Sequence, residues 1–474
     1  MKKKILSFIS VLAFVLILFF VLRSVYNALR WKDTTGDYLS SFDQLYATEN
    51  DLIDVVFVGP SHCYDSVYPA YLWEDAGIAS FDMSVSGQDR DSAYHHLVEF
   101  LKTQKPKVVF FEVAALIFDQ NDNIGNEYRN LLSMRPSVNS VTLVGDYLKR
   151  YGRKDEILDY TARFPIIHTR YRELDRKDVI PYEPNSFMRG EHIRWNAEEI
   201  EYWGSENVEA TPAEFRDEYT EWLDKVYDLS VKEGFSLVLW AAPYQLSGYE
   251  KTLFEGVADY AADKGLVMLD MNRMPELGLD VSTDFFDTAH CNAHGAKKVS
   301  DYFADYILEN YDIPDHRGDA KYVQWDRDLE YVYRQKSIYD LSVTEDVNEY
   351  AKILSEMKDV SVIISLEGEY GRYYDDRYRE VLSAFGISGE EYEKGGKWIF
   401  TGGECIKGHD NDLQEDPFYY TLGKYDTLKL DFEGDFLHPE NVMIGHESYS
   451  NAGYCLLFVV YDDITNEVVS TGRF

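Results

Sequence analysis

Five short runs of continuous apolar residues, separated by stretches with helical spacing, constrain the fold of this chain most strongly. A strand that is apolar at every position is buried on both faces, which is typical of parallel sheets covered by helices. The runs are DVVFVG (54–59), ASFDMSV (79–85), KVVFFEVA (107–114), SLVLWAAP (236–243) and LVMLDMN (266–272). The pattern predicts a three-layer α/β domain over 50–312, built on a doubly wound, parallel, five-stranded sheet.

Amphipathic stretches between these runs supply the predicted helices. They are 68–78, 90–104, 211–234, a helix near 247–264 and one from 294 to 310. The third starts with Thr211 and Pro212 and stops at Gly234, residue types that begin and end helices. The stretch 115–210 interrupts the alternation. We interpret it as a helical insertion over or beside the carboxyl edge of the sheet, with a loop at 181–192.

The character of the chain changes after residue 312. A charged connector is predicted for 313–345 and a smaller, β-rich accessory domain for 346–474. The β-type runs of this domain are 360–368, 397–403, 426–434 and 455–463, with a helix near 374–386. Two domains also suit the length, because 474 residues exceed what a single core usually organises.

The first 30 residues carry a candidate membrane anchor. Lysines at positions 2 to 4 precede the uncharged run ILSFISVLAFVLILFFVL (5–22), which is long enough to cross a hydrocarbon core as a helix. No A-x-A-like cleavage site follows, so the sequence predicts a retained signal anchor rather than a removed signal peptide. The lysines favour a cytoplasmic N-terminus and an extracellular remainder, and the basic residues just after the run weaken this orientation without reversing it.

Charge and histidine spacing exclude several classes of function. The net charge of −37 repels phosphate, so binding to nucleic acid or to anionic lipid headgroups is not expected. The favoured role of this charge is solubility, and no loop motif supports the alternative of carboxylates clustered around a cation. The adjacent His95 and His96 lie on a predicted helix where consecutive residues face different ways. No spacing fits zinc ligation, and neither a metal nor a cofactor is predicted.

The four cysteines are too few and too scattered for a disulfide scaffold. Two of them, Cys63 and Cys291, flank candidate catalytic residues. A bridge between them is conceivable if those segments meet. The favoured interpretation is that both are small side chains packed beneath a site.

Residues suited to acyl transfer come directly after predicted strands. Ser61 follows a Gly-Pro turn at the end of the first strand, and DTAHCNAHG (287–295) precedes the last helix, so both are expected at the carboxyl edge of the sheet. A serine hydroxyl needs a base to take its proton, and an imidazole needs a carboxylate to hold its tautomer. His290 and Asp287 supply both. The alternatives are that Ser61 and Asp287 cap helices and that His290 is an ordinary surface histidine.

The blocks VVFVGPSH, SFDMSVSGQD, VVFFEVAALIF, LVLWAAPY and FFDTAHCNAHGAKKVSDYFADYI, in this order over 50–312, resemble the SGNH (GDSL-like) hydrolase superfamily. The resemblance is to the membrane-anchored branch that O-acetylates bacterial exopolysaccharides such as alginate and cellulose, with kinship to the D-alanyl-lipoteichoic acid biosynthesis protein. It implies a flavodoxin-like fold, Ser61 as nucleophile, His290 as base and Asp287 as its orienting carboxylate. The N–H groups of Ser61 and Gly87 would form the oxyanion hole.

The sequence departs from the superfamily pattern at one block. The usual third-block Asn, an oxyanion donor in esterases, is missing, and Glu112 lies near that strand end. Acetyltransferase-like relatives often lack this Asn, so its absence favours transfer over simple hydrolysis. Gln88 could donate in its place, although a solvated surface position is the favoured alternative. Further cleft candidates, each of which could instead serve turn structure or packing, are His62, Arg189, His192 and Tyr244.

The resemblance implies an extracytoplasmic acyltransferase, with acetyl as the expected group, or an esterase acting on a cell-surface polysaccharide through an acyl-serine intermediate. A multi-spanning membrane O-acyltransferase would hand over the acyl group. Two alternatives stay open: a non-catalytic polysaccharide-binding scaffold, and D-alanyl transfer to teichoic acid. The ending YSNAGYCLLFVVYDDITNEVVSTGRF resembles the interleukin-like (ILEI-type) β module of bacterial surface enzymes, which implies binding of glycans or partners rather than catalysis.

Overall fold

The computed structural model describes residues 2–33, 40–117, 124–179, 189–190, 192–366, 376–407, 417–430, 442–450 and 454–474. The chain divides into two compact units, Met1–Val332 and Tyr333–Phe474. The division falls inside a long helix, α14, within the stretch 313–345 for which a charged connector was predicted. The connector is therefore regular helical structure over most of its length.

The first unit contains most of the helices. Among the described residues they are α1 (Lys2–Leu29), α2 (Phe42–Ala47), α3 (Ser61–Tyr64), α4 (Pro69–Ala76), α5 (Arg90–Phe100), α6 (Ile124–Leu132), α7 (Val138–Arg150), α8 (Ile157–Ala162), α9 (Phe164–Ile167), α10 (Arg176–Val179), α11 (Asp217–Glu233), α12 (Gly248–Lys264), α13 (Ala293–Asn310) and α14 (Val323–Val343). The strands of this unit are β1 (Val55–Val58), β2 (Ser80–Asp82), β3 (Val108–Glu112), β4 (Ser236–Ala241), β5 (Val267–Asp270), β6 (Phe285–Asp287) and β7 (His290–Cys291).

The central sheet has the strand order β2-β1-β3-β4-β5, and every neighbouring pair is parallel. This confirms the predicted five-stranded parallel α/β architecture. In such a sheet, the loops that follow the strands meet at one edge, where α/β proteins bind their ligands. The loops after β1, β2, β3 and β4 all reach that edge here.

Helices cover both faces of the sheet. Side chains along β1 point alternately to the two faces, so their contacts show which helices pack on each side. Val56 and Val58 belong to one core cluster, together with apolar residues of α5, α11 and α12. Val55 and Phe57 belong to a second cluster, with residues of α4 and α13. The unit therefore has three layers, and burial on both sides explains why β1 is apolar at every position.

One predicted helix begins later than expected. The prediction of 211–234 is wrong at its start, since α11 begins at Asp217, although it ends as expected at Gly234, which adopts a left-handed conformation with φ of 83°. The Thr211 N–H donates to the carbonyl of Gly248, and the Thr252 hydroxyl donates to the carbonyl of Thr211. These tertiary bonds to the start of α12 hold the segment out of the helix that its Thr-Pro pair predicts.

The N-terminal helix α1 is the one candidate membrane span among the described residues. Its Ser7–Leu29 portion has a mean hydropathy of 2.7, and the most apolar part of it is not buried by the rest of the protein. The length and composition suit a single-pass membrane anchor or a signal sequence.

The insertion between β3 and β4 is helical in its first part, as predicted. It carries α6 to α10, and the described residues between 189 and 216 are mostly irregular. The loop predicted at 181–192 lies outside the described residues except for Arg189, Gly190 and His192. Residues of the insertion line the candidate site at the carboxyl edge of the sheet.

The second unit is rich in antiparallel β-structure, as predicted, and also contains helices. Its helices are α15 (Val347–Glu356), α16 (Asp376–Ala384) and α17 (Gly389–Lys394). Its strands are β8 (Val360–Leu366), β9 (Gly396–Thr401), β10 (Glu404–Lys407), β11 (Phe418–Leu422), β12 (Asp426–Leu430), β13 (Val442–Ile444), β14 (Glu447–Tyr449), β15 (Leu456–Asp462) and β16 (Glu467–Arg473).

These strands form two antiparallel sheets, with orders β10-β9-β8-β15-β16 and β11-β12-β13-β14. One face of the five-stranded sheet packs against α15, α16 and α17 through residues such as Tyr350, Leu382 and Phe458. The other face packs against the four-stranded sheet through residues such as Leu428 and Val459. The layers are thus helices, sheet and sheet.

Candidate active site

The turn after β1 brings Ser61 to the carboxyl edge of the sheet. The strand ends at Val58, and Ser61 is the first residue of the short helix α3. A Cβ atom at Gly59 would lie 2.5 Å from the Cβ of Glu112 and 3.1 Å from the Cβ of Cys63. Only glycine fits where β1 passes this close to the end of β3, and that proximity explains the sharp turn before the serine.

A small hairpin brings the base to the serine. Asp287 ends β6 and His290 begins β7, so the two side chains emerge next to each other. The Nδ1 atom of His290 lies 2.8 and 3.0 Å from the two carboxylate oxygens of Asp287. The Nε2 atom of His290 lies 2.8 Å from the Oγ atom of Ser61. The structure therefore brings together all three predicted residues. Ser61 and His290 are 229 positions apart in the sequence.

The surroundings of Asp287 favour its ionised form. Partial burial opposes ionisation, but the hydrogen bond and charge of His290, the N–H of Ala289 and the nearby Arg194 outweigh it and lower the pKa of the Asp287 carboxyl. The Ala289 N–H donates to Oδ1 of Asp287 at 2.8 Å. A carboxylate held in this way orients the imidazole so that its Nε2 faces the serine hydroxyl.

A second bonding network fixes the hairpin itself. The side-chain oxygen of Asn292 accepts the N–H groups of His294 and Gly295 and so caps α13, and its amide donates to the carbonyl of Thr283 at 2.7 Å. A Cβ atom at Gly295 would collide with the carbonyl of Asp284. These contacts give Asn292 and Gly295 a structural role at the start of α13.

The serine and histidine open onto a cleft of about 610 Å³. It lies between the strand ends, the insertion and the start of α12. Its lining combines hydroxyl, amide and aromatic groups with one carboxylate, and the residues beside Ser61 and His290 are His62, Ser86, Gly87, Ile117, Asn126, Tyr244, Gln245, Ser247, Tyr249, Glu250, Thr288 and Ala289. No lysine or arginine is among these described lining residues.

Gly87 lies in this lining next to Ser61. After β2, the chain continues alongside β1 through hydrogen bonds from Met83 N–H to Phe57 and from Val85 N–H to Gly59. Gly87 then turns with φ of 60°, a left-handed conformation that favours glycine. The side-chain amide of Asn130, on α6, donates to the carbonyl of Ser86 at 3.1 Å and fixes this loop from the insertion side.

His62 and Tyr244 form one wall of the cleft. Their rings stack with centroids 4.3 Å apart, and His62 also lies 5.6 Å from the ring of His290. Burial, and to a smaller extent the proximity of His290, lower the pKa of His62 to about 3, so its ring is neutral at physiological pH. His62 is buried rather than an exposed turn residue.

Glu112 lies beneath the cleft and does not line it. It is completely buried, and its two carboxyl oxygens accept the N–H groups of Ala114 at 3.0 Å and Ala242 at 3.3 Å. Burial raises the pKa of Glu112 to about 8, against the effect of these hydrogen bonds. The residue joins the ends of β3 and β4, so its structural role differs from the cleft position that the sequence suggested.

Gln88 and Arg189 also lie outside the cleft lining. Gln88 is fully buried rather than solvated, because its amide donates to the carbonyl of Met83 and contacts Nδ1 of His96 at 2.7 Å. Arg189 is buried in an ion pair with Asp328, 2.9 Å from Nε to Oδ2. The cleft assignments of Gln88 and Arg189 are therefore corrected: the side chains bond to interior partners.

A buried carboxylate, Asp65, was missed from the sequence. Its Oδ1 lies 3.2 Å from Nδ1 of His192 and 3.4 Å from Nε of Arg194, and its Oδ2 lies 3.9 Å from Nε2 of His290. His192, a cleft candidate from the sequence, therefore reaches the site through Asp65. The signal that could have found Asp65 is its spacing of four residues after Ser61, which places both on one side of a helical turn.

The cysteines near the site are free thiols. Cys63 and Cys291 are both buried and neither forms a disulfide, which agrees with the packing interpretation. Burial raises the pKa of both thiols, that of Cys291 to about 12. Among the residues that the structure describes, no cluster of three or more His, Cys, Asp or Glu side chains could hold a metal ion.

The fold and the site together define an α/β protein with a hydrogen-bonded Ser–His–Asp arrangement at the carboxyl edge of a parallel sheet. In comparisons with known proteins, no family model matches the chain and no curated protein is significantly similar to it.

Proposed function

We propose that this protein is a serine-dependent acyltransferase or esterase of the SGNH type, which acts on a cell-surface polysaccharide through an acyl-serine intermediate. One observation carries the proposal: the Nε2 atom of His290 lies 2.8 Å from the hydroxyl of Ser61, while its Nδ1 bonds to Asp287. A nucleophile within bonding reach of a base, which is in turn oriented by a carboxylate, is the geometric signature of nucleophilic acyl transfer.

In the first half of the reaction, the Oγ atom of Ser61 attacks the acyl carbonyl carbon as its proton passes to Nε2 of His290. The carbonyl π electrons move onto the carbonyl oxygen, which becomes an oxyanion. Backbone N–H groups of Ser61 and Gly87 stabilise this charge in the proposed oxyanion hole. When the oxyanion collapses, the bond to the donor oxygen breaks, and that oxygen takes the proton from His290. The acyl group is then esterified to Ser61.

The second half reverses these steps with a different hydroxyl. His290 takes the proton of the acceptor, whose oxygen attacks the acyl-serine carbonyl, and the imidazolium returns the proton to Oγ of Ser61 on collapse. A sugar hydroxyl as acceptor gives transfer, and water gives hydrolysis. The cleft lining of hydroxyl, amide and aromatic groups suits a carbohydrate acceptor, because sugars both hydrogen-bond and stack on rings.

The strand order and the order of the motifs support membership of the SGNH superfamily. The nucleophile follows β1, Gly87 follows β2, and the Asp–x–x–His segment precedes α13. These are the positions that the resemblance assigns to them. The strand order 2-1-3-4-5 is the flavodoxin-like order of doubly wound sheets. The third-block Asn is replaced here by the buried Glu112, which cannot serve as an oxyanion donor in the cleft.

The N-terminal helix supports a location at the cell membrane. We propose that α1 is a retained single-pass anchor with a cytoplasmic N-terminus, so that the active site lies outside the cell. A multi-spanning membrane O-acyltransferase would then supply the acyl group from the cytoplasmic side. The C-terminal unit, with its ILEI-like ending, would bind glycan or a partner.

Hydrolysis and transfer by the purified full-length protein in detergent test this proposal. We expect turnover of p-nitrophenyl acetate, and acyl transfer when an oligosaccharide acceptor is added. Ser61→Ala should lower kcat/KM by at least about a thousandfold, because nothing else in the site replaces the nucleophile. Ser86→Ala is the matched control, since Ser86 lines the same cleft without bonding to His290, and it should keep most of the activity. Undiminished turnover by Ser61→Ala would contradict the proposal.

A further inference from the structure

The end of α1 is held tightly by the insertion rather than joined to it by a loose tether. Arg170, which is buried, donates through Nη1 to the carbonyls of Leu29 at 2.7 Å and Arg30 at 3.0 Å. Its Nη2 forms a two-pronged bond with the carboxylate of Asp178, on α10. Lys32 donates to the backbone carbonyl of Asp178 at 2.8 Å. The last helical carbonyls of α1 therefore find their partners inside the insertion.

These contacts put the insertion at the depth of a bilayer surface. Twenty residues of helix span a hydrocarbon core about 30 Å thick, so a span that starts at Ser7 reaches the interface near Tyr26. The hydroxyl of Tyr26 lies 3.4 Å from Nη1 of Arg163, the residue just before α9. Trp31, which packs beneath the guanidinium of Arg170, lies five residues after Tyr26. Tyrosine and tryptophan are the residues enriched at membrane interfaces.

The segment that holds α1 also exposes large apolar side chains to its surroundings. They lie on α8, α9, α10 and the turn between α9 and α10, and they are Leu158 (79% exposed), Phe164 (44%), Tyr171 (59%) and Val179 (70%). We define this group as the interfacial patch. An apolar group of this size, exposed and adjacent to a candidate membrane span, fits the acyl boundary of a lipid bilayer better than it fits water.

The charge of the same segment differs from that of the rest of the chain. From residue 158 to 179 there are five basic and four acidic residues, whereas the whole chain carries −37. Three basic and three acidic side chains are exposed there beside the apolar ones, namely Arg172, Arg176, Lys177, Asp159, Glu173 and Asp175. A surface whose exposed charges balance, with apolar side chains beside them, suits zwitterionic phospholipid headgroups. The acidity that argues against lipid binding for the whole chain therefore does not extend to this segment.

The insertion also links the interfacial patch to the active site. Trp31 packs against Tyr128 of α6, with ring centroids 5.1 Å apart. On the same helix, Asn126 lines the cleft and Asn130 fixes the loop of Gly87. With nine residues, α6 is only about 13 Å long. The end of the membrane span and the catalytic cleft are therefore separated by about one short helix.

We propose that the interfacial patch rests in the phospholipid interface and holds the cleft next to the membrane surface. The occupant of this surface is the lipid bilayer itself. Two consequences follow for the reaction: the acyl donor is received close to the membrane, and the acceptor is the membrane-proximal part of a glycan rather than a distant polymer. This inference rests on the membrane anchoring that is part of the proposed function.

Quenching by spin-labelled lipids tests this inference on the full-length protein in phosphatidylcholine vesicles. The exposed Cys405 and the partly exposed Cys455 are first replaced by serine, and single cysteines are introduced by Leu158→Cys, Phe164→Cys or Tyr171→Cys and labelled with bimane. Leu308→Cys on α13 is the matched control, because Leu308 is an exposed leucine on a helix of the catalytic layer. Leu16→Cys in α1 is the positive control for insertion.

We expect shallow doxyl lipids to quench labels at 158, 164 and 171 at least about twofold more strongly than the label at 308. Quenching at position 16 without excess quenching at any of the three patch positions would overturn the inference. Protection of the patch by a protein partner instead of lipid would also overturn it. Absence of quenching at position 16 would contradict the anchor on which the inference rests. Because the labelled variants keep the Ser–His–Asp arrangement, p-nitrophenyl acetate turnover separately reports whether the proposed chemistry fails.

Discussion

Glu112 packs against Gly59 in the turn that leads to Ser61. A change in the protonation state of Glu112 would therefore make the stability of this turn depend on pH. Its two oxygens join the backbone at the ends of β3 and β4, and its Cβ leaves room only for a glycine at position 59. The residue has no exposed atom through which water could compensate a charge. The protonated form is therefore the one that this fold accommodates.

The raised pKa of Glu112 predicts a specific loss of stability as the pH rises from about 4.5 to about 8. A carboxyl whose pKa rises from 4.5 to about 8 on folding binds its proton more tightly in the folded state. Its contribution to stability is complete below pH 4.5 and is lost as the pH rises through about 8. Within this window, Glu112 should lower the free energy of unfolding by up to about 1.4 kcal/mol per pH unit.

Denaturant unfolding of Glu112→Gln between pH 5.5 and 8.5 measures this effect. Glutamine cannot ionise, so the variant should lose less stability than the wild type over this range, even if its absolute stability is lower because one backbone bond is replaced. Other buried acids such as Asp82, whose pKa burial raises to about 7, leave both proteins with some slope. Glu309→Gln, an exposed change on α13, should leave the slope unaltered. Equal slopes for Glu112→Gln and wild type would contradict the account.

At the scale of elements, the turn between β1 and α3 sets the position of Ser61. The turn needs glycine at position 59 because β1 and β3 are neighbouring strands whose ends converge there. Gly59→Ala should destabilise the protein by about 1–3 kcal/mol and displace Ser61 from His290, since the new methyl overlaps the Cβ of Glu112. We therefore expect lower kcat together with a lower melting temperature.

A second glycine provides the control for Gly59→Ala. Gly145 lies inside α7, and a Cβ atom there would have no neighbour within 4 Å. Gly145→Ala should leave activity intact and stabilise the protein by about 0.5–1 kcal/mol, because alanine favours the helix. Thermal unfolding and p-nitrophenyl acetate turnover of both variants are the measurements. A Gly59→Ala protein as active and stable as Gly145→Ala would show that the turn does not position the nucleophile.

Sequence patterns predicted the elements well where strands are buried on both faces of the sheet. They predicted them poorly where tertiary contacts decide the local conformation. β1 is apolar at every position, and β3, β4 and β5 are apolar at all but one, so their type and parallel arrangement followed directly. The start of α11 was wrong, because bonds between Thr211 and the start of α12 hold the preceding segment extended. The same limit applies to Gln88, whose burial depends on His96 of α5 lying beneath it.

The candidate site was predictable in part. Ser61, Asp287 and His290 lie on short segments with recognisable turn and cap residues, so their meeting at one edge could be expected. Asn126 of α6 could not, because it comes from an insertion whose placement no periodicity encodes, and Asp65 was overlooked although its spacing from Ser61 signals it. Arg189 was assigned to the cleft from its loop-like surroundings, but its partner Asp328 is 139 positions away.

At the scale of the whole molecule, the contacts around residues 29 to 33 favour a retained anchor over a removed signal peptide. Cleavage in this stretch would leave Arg170 and Asp178 buried without their partners from α1 and Lys32. Breaking such buried charged networks usually costs several kcal/mol. We therefore expect the insertion to lose stability if the N-terminal helix is removed.

The proposed topology predicts that the C-terminal unit faces the outside of the cell. Cys405 is exposed, so a membrane-impermeant maleimide should label it in intact cells, and Cys405→Ser combined with Cys455→Ser should abolish the labelling. A cysteine introduced by Lys4→Cys in that background should react only after lysis. Labelling at position 4 but not at 405 in intact cells would reverse the orientation.

The most direct measurement of the central claim is covalent trapping at the proposed nucleophile. The full-length protein is treated with a fluorophosphonate and digested, and the peptide that contains Ser61 is sequenced by mass spectrometry. We predict a phosphonyl adduct on the Ser61 oxygen in wild type and in Ser86→Ala, and its loss in Ser61→Ala and His290→Ala, because the hydroxyl needs the imidazole to react. An adduct on another serine, or no adduct in folded wild-type protein, would contradict the assignment of this site as an acyl-transfer centre.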